Sequence, residues 1–109
     1  MDERERRLAQ NEALFREVNE RVESLGHHLG PEASYEFLCE CANPDCTFRI
    51  TLPLPIYESV RADSTHFVVL PLHYTPEVED LVVEEDDYWV VQKTGEAGEF
   101  VDRLDPRSR

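Results

Sequence analysis

The chain's three cysteines all fall within eight residues, Cys39-Glu40-Cys41-Ala42-Asn43-Pro44-Asp45-Cys46. In an extended segment residues i and i+2 point to the same side, so Cys39 and Cys41 would present two sulfurs together. The Asn-Pro-Asp turn then brings Cys46 back toward them. Three soft donors converging on a hairpin tip fit Zn²⁺, which takes thiolate and imidazole ligands in a closed tetrahedron at structural sites. Thiolates also favour zinc over hard-oxygen metals such as Mg²⁺. The fourth ligand must come from a histidine or a carboxylate. His73 follows the run Phe67–Leu70 in a loop, from which it could reach a neighbouring hairpin tip. His66 stands at the other end of that run, so one of the two can serve but not both. His27 and His28 fall in a loop, where solvation is the expected fate.

Other uses of the cysteines compete less well. Buried free thiols are common, but three of them around one turn is unusual for core filling. The odd count and the lack of a secretory pattern disfavour a disulfide framework. An iron–sulfur cluster wants four cysteines. A catalytic zinc keeps one position for water and has a base beside it. Glu40 and Asp45 are close in sequence, yet three Cys and one His would fill the tetrahedron. The His-x-Glu and Pro-Cys-x-x-Cys pattern of zinc deaminases is absent. The site is predicted to be structural. A zinc hydrolase would require a vacant position. A redox- or zinc-responsive thiol switch is the alternative, since clustered thiolates can release metal on oxidation.

The rest of the chain excludes more than it offers. No dinucleotide fingerprint, phosphate loop, nucleophile elbow or His-Glu-x-x-His is present. The expectation is a non-enzymatic protein. Seven acids and no base lie between Glu77 and Asp87, without the alternating acids and central Gly of a calcium loop. That run reads as a solvated edge or, less simply, a docking patch for a basic partner. Net charge is −13 over 109 residues, and residues 26–109 hold seventeen acids against six bases. Such a surface repels phosphate backbones and anionic membranes, so neither nucleic acid nor membrane is an expected partner. The first apolar residue after Met1 is Leu8, behind a charged run, and no stretch approaches the roughly 20 apolar residues of a membrane span. A cytoplasmic location follows as the default.

The pattern predicts a small α+β fold in two parts. Residues 1–25 form an amphipathic N-terminal helix for docking or dimerisation, and residues 34–105 form a zinc-stabilised α+β domain. The helix of residues 2–25 has i,i+4 pairs Glu3/Arg7, Glu12/Arg16 and Glu17/Arg21 and a stop at Gly26. Leu8, Phe15 and Val22 with Asn11, Val18 and Leu25 make a short heptad seam. It packs on the domain itself or pairs helices, with Asn11 fixing register. Residues 35–41 and 47–52 read as a hairpin bearing the knuckle, with Phe48, Ile50 and Leu52 inward. A short helix over residues 55–62 would turn Ile56, Tyr57 and Val60 inward. Phe67–Leu70 reads as a central strand and residues 88–92 as another, while residues 78–84 fit helix or strand, with strand favoured because Val82 and Val83 precede the acidic turn Glu85-Asp86-Asp87. Residues 96–104 read as a helix with Phe100, Val101 and Leu104 on one face. Residues from Pro106 on are expected to fray.

The chain also resembles a family of small uncharacterised bacterial proteins. The match is carried by residues 11–21 and 37–41, by Pro44-Asp45-Cys46, and by Tyr57-Glu58 with Val60-Arg61. It continues through Phe67-Val68-Val69-Leu70-Pro71, His73 and residues 88–93, as far as Gly95-Glu96-Ala97. In that family a His follows a Pro-Gly pair at the place of His73; here Leu72 stands for the Gly. The resemblance implies a Cys3His ligand set of Cys39, Cys41, Cys46 and His73, in preference to His66. It implies no activity or partner. A protein partner, or a second copy, is expected to dock on the N-terminal helix.

Overall fold

The computed structural model describes residues 1–108, which form an α+β fold of three α-helices and two small antiparallel sheets. Helix α1 spans Glu3–Leu29. Asp2 caps it, accepting the Glu5 N–H at 2.7 Å, and Glu3 and Glu5 place negative charge at the positive end of the helix dipole. The helix does not stop at Gly26 but runs on to Leu29, with Gly30 as its C-cap. Gly26 is a packing residue: a Cβ there would lie 3.0 Å from Tyr35 Cε2 and 3.2 Å from Leu54. His27 and His28 therefore ride on the last turn rather than in a loop, and His27 Nε2 lies 2.5 Å from Glu23 Oε1.

The buried face of α1 is not the heptad seam. Leu8, Phe15 and Val22 are half-buried, while Leu14, Val18, Leu25 and Leu29 are exposed. Ala9, Glu12, Ala13, Arg16, Asn19, Glu23 and Gly26 face inward instead. Polar groups can be buried here because each finds a partner contributed from elsewhere in the chain. The Arg16 guanidinium donates to the Ser64 and Val101 carbonyls and lies 4.8 Å from the centre of the Phe67 ring. Lys93 Nζ lies 2.6 Å from Glu12 Oε1 and 3.6 Å from Glu79 Oε2, with all three side chains buried.

One ammonium cannot neutralise two buried carboxylates. Burial, reinforced by Glu79, pushes the Glu12 carboxyl well above its ordinary range despite the pull of Lys93. The folded chain thus keeps a proton where the unfolded chain has lost it. This group's contribution to stability is complete below about pH 4 and declines as pH rises toward the folded-state value. Glu12→Gln, which has the shape of the protonated acid, should flatten the dependence of unfolding free energy on pH above the ordinary carboxyl range. Urea titrations at several pH values would read it, and an unchanged slope would mean that Glu12 is ionised in the folded protein.

Strands β1 (Ser34–Leu38) and β2 (Arg49–Pro53) pair antiparallel, with Phe37 opposite Ile50. In β2, Ile50 and Leu52 are buried and Arg49, Thr51 and Pro53 exposed, the expected alternation. Phe48 lies outside the strand and is 60% exposed, so it is not a core residue. Helix α2 (Leu54–Arg61) follows, with Pro55 in its first turn and Tyr57 stacked on Phe37 at 4.3 Å. The second sheet has the order β3 (His66–Val69), β5 (Trp89–Lys93), β4 (Glu79–Glu84), antiparallel throughout. The apolar run of β3 is therefore at an edge, and β5 is central. That edge is nonetheless dry, because the segment after β1 covers it: the Glu40 N–H donates to the Val68 carbonyl at 2.8 Å.

Helix α3 (Gly95–Arg103) buries Ala97, Gly98 and Val101, whereas Phe100 is half-buried and Leu104 exposed. Gly98 is obligatory for contact, since a Cβ there would lie 2.8 Å from the Lys93 carbonyl oxygen. From Pro106 to Ser108 the backbone is ordered rather than frayed, and Arg109 lies outside the described residues. Pro106–Ser108 form a 3-10 turn, and Arg107 reaches Glu20, Glu23 and Glu58. No helix of the described residues is long and apolar enough to cross a membrane.

Candidate metal centre

The cysteine segment leaves the β1–β2 ladder at Cys39, whose N–H still bonds the Phe48 carbonyl at 3.1 Å. From there to Phe48 the chain has no strand structure, so the ladder is shorter than the alternation predicts. Past Cys39 the chain turns to the other sheet, where the Glu40 N–H donates to the Val68 carbonyl and its carboxylate accepts the Val68 N–H, while Asn19 of α1 pairs with both backbone groups of Leu38. Cys39 and Cys41 face one side while Glu40, between them, is buried in the core. At the turn, the Asn43 side chain accepts the Asp45 N–H at 2.9 Å and its carbonyl accepts the Cys46 N–H at 3.1 Å. That turn returns Cys46 to the other two.

His73 arrives on a second turn, Leu70-Pro71-Leu72-His73, closed by the His73 N–H on the Leu70 carbonyl at 3.0 Å. Leu72 has φ of 72°, so this is a type II turn with Pro second and a left-handed third residue. Glycine suits that place, and Leu72 is 80% exposed, so its side chain contributes little there. Leu72→Gly should stabilise the fold by about 1 kcal/mol by releasing left-handed strain. Denaturant unfolding would measure it; a loss of stability would show that the Leu72 side chain packs on the centre.

The two turns bring Cys39, Cys41, Cys46 and His73 together, with the three Sγ atoms and a His73 ring nitrogen all within 4.8 Å of one another. His73 Nδ1 lies 3.5 Å from Cys39 Sγ and 3.7 Å from Cys46 Sγ. His66 is elsewhere, 3.4 Å from Asp63 at the far end of β3. One sulfur also accepts a backbone N–H, Cys39 from Leu70 at 3.2 Å, and the Asn43 and Phe48 backbones lower the Cys41 and Cys46 thiols respectively. Such donors stabilise thiolates and orient them. The thiols divide the charge unequally. A hydrogen bond from Cys39 lowers Cys41 to about 5, against the effect of burial, with His73 and Asn43 assisting. The same bond, with burial, pushes Cys39 up, and burial pushes Cys46 up. Three sulfurs this close hold one thiolate readily and three only with a cation between them.

Phe48 packs edge-on against the His73 ring at 5.7 Å. A cavity of about 240 Å³ opens beside the cluster, bordered by Cys41, Asn43, Leu72, His73, Tyr74 and Thr75. Behind the cluster lies a residue that spacing alone did not single out as structural. Glu40 is fully buried and accepts from Asn19 Nδ2 at 2.8 Å, Tyr57 Oη at 2.9 Å and the Val68 N–H at 3.0 Å. Burial raises its carboxyl, and those three donors oppose the rise. Its one legible sign was position, a charged residue alternating with two inward cysteines.

Glu23, His27 and Glu58 also lie within ligand distance of one another. Arg107 already sits on that group, 2.7 Å from Glu58 and 3.3 Å from Glu23, so its charge is met without a metal. The chain matches no family model, no curated protein and no solved structure.

Proposed function

We propose that this chain is a non-enzymatic zinc-binding protein with a structural Cys3His site, acting as an interaction or regulatory module in the cytoplasm. The observation that carries the reading is the ligand geometry. A tetrahedron with Zn–S of about 2.3 Å and Zn–N of about 2.0 Å has sulfur–nitrogen edges of about 3.5 Å. The edges from His73 Nδ1 to Cys39 and Cys46 are 3.5 and 3.7 Å. The Leu70 N–H bond to Cys39 Sγ, at the start of the turn that carries His73, supports the same ligand set. Four protein ligands leave no position for a reacting water, which favours a structural over a hydrolytic ion.

The contact surface is α1. Its exposed Leu14, Val18, Leu25 and Leu29 fall on one stripe of a helix turning 100° per residue. Residues 1–25 are nearly balanced in charge, seven acids to five arginines, on an otherwise strongly acidic chain. A protein partner or a second copy can approach there with least repulsion. A thiol switch is the second reading, favoured by the half-buried Cys46 and the cavity beside Cys41.

The test is metal content by native mass spectrometry on protein purified without added metal, beside Cys41→Ser and His73→Ala. One zinc per chain, lost from both variants, is expected. Fresh reduced protein with no metal would sink the reading.

A further inference from the structure

Helix α1 and the cysteine segment run side by side in opposite directions, pinned at two points. Asn19, fully buried, pairs with both backbone groups of Leu38: its Oδ1 accepts the N–H at 2.7 Å and its Nδ2 donates to the carbonyl at 2.9 Å. The same Nδ2 donates to Glu40 at 2.8 Å. Two turns earlier in the helix, Asn11 Nδ2 donates to the Ala42 carbonyl at 3.0 Å. Cys39 and Cys41 are therefore bracketed by two asparagine anchors on one rigid element.

The spans match. Eight helical residues rise about 12 Å, and the four steps from Leu38 to Ala42 cover about 13 Å when extended. The helix thus sets the length over which the two cysteines are stretched. A register fixed at both ends fixes where both sulfurs sit relative to His73. Neither asparagine touches the sulfurs themselves, so they act as positioning residues.

We propose that Asn11 and Asn19 make α1 part of the metal centre, so that docking of the helix and binding of zinc are thermodynamically linked. The inference rests on the zinc reading above. Linkage is reciprocal: if the docked helix raises zinc affinity, zinc holds the helix down by the same factor. A partner that binds the docked and released helix with different affinity would then alter zinc affinity by the same coupling.

The experiment is a zinc titration of the full chain against a chromophoric chelator, for wild type, Asn19→Ala and Asn11→Ala. Val83→Ala, a truncation of a half-buried residue on β4, the strand that pairs with β5, serves as the control for general loosening. Each asparagine variant should still bind one zinc, with affinity about 10- to 100-fold weaker. Val83→Ala should keep wild-type affinity. If Asn19→Ala does not fold, the half-buried Asn11 variant decides, since it removes a single hydrogen bond. In wild type, hydrogen exchange of α1 amides should quicken when zinc is removed. A wild type that binds zinc, with asparagine variants of equal affinity or no weaker than Val83→Ala, overturns the linkage alone. A wild type that binds no zinc overturns the zinc reading and the linkage with it.

Discussion

Removal of the metal is expected to lower the thermal midpoint by about 15 °C or more. An ion present at roughly 1,000 times its dissociation constant adds about 4 kcal/mol, and each kcal/mol is worth about 4 °C in a domain near this size. The structural reason is the weakness of what remains. The β1–β2 sheet has two strands of five residues each, a marginal unit on its own. Residues 39–48 lack regular structure, and three sulfurs crowd one another once the cation is gone. An ion held by the four side chains would tie that hairpin to the Leu70–His73 turn that follows the second sheet's β3. Circular dichroism melts with and without a chelator measure the effect. Midpoints agreeing within about 2 °C would mean that the ion contributes little to holding the fold.

Glu40→Ala should cost about 3–5 kcal/mol, among the largest effects of any single side chain outside the ligands. The loss is not the worth of a carboxylate but the cost of what it leaves behind. Asn19 Nδ2, Tyr57 Oη and the Val68 N–H would each lose an acceptor in a site sealed from water. A buried donor without a partner costs about 1–3 kcal/mol. Glu40→Gln keeps one acceptor oxygen for three donors and should fall between wild type and Glu40→Ala. Equilibrium urea unfolding of zinc-loaded protein would rank the three. A Glu40→Ala variant within about 1 kcal/mol of wild type would show that water or a shifted side chain replaces the carboxylate.

Local chemistry was legible in the residues themselves. The cysteine spacing and the turn at Asn43-Pro44-Asp45 act over a few residues, so the convergence of Cys39, Cys41 and Cys46 could be read directly. The Leu-Pro-x-His turn is equally local, and His73 lies where that reading placed it. Strands β2, β4 and β5 and helix α2 also follow from alternation and proline position, within a residue or two of their observed ends.

Tertiary structure decided which faces are buried. Periodicity marks an apolar seam on α1, but the face turned inward carries Glu12, Arg16 and Asn19. Their partners are Lys93, the carbonyls of Ser64 and Val101, and the Leu38–Glu40 segment, all remote in sequence. A polar side chain is stable inside only when a partner meets it, and nothing near it in the chain announces that partner. Gly26 was misleading for the same reason, being a site of close approach to Tyr35 and Leu54 rather than a stop. The convergence of the three cysteines could be read from their neighbours in sequence, whereas His73 and His66 stayed alternatives until the fold brought His73 to the sulfurs. The clamp of Asn11, Asn19 and Glu40 that holds them exists only once α1 has folded across the knuckle.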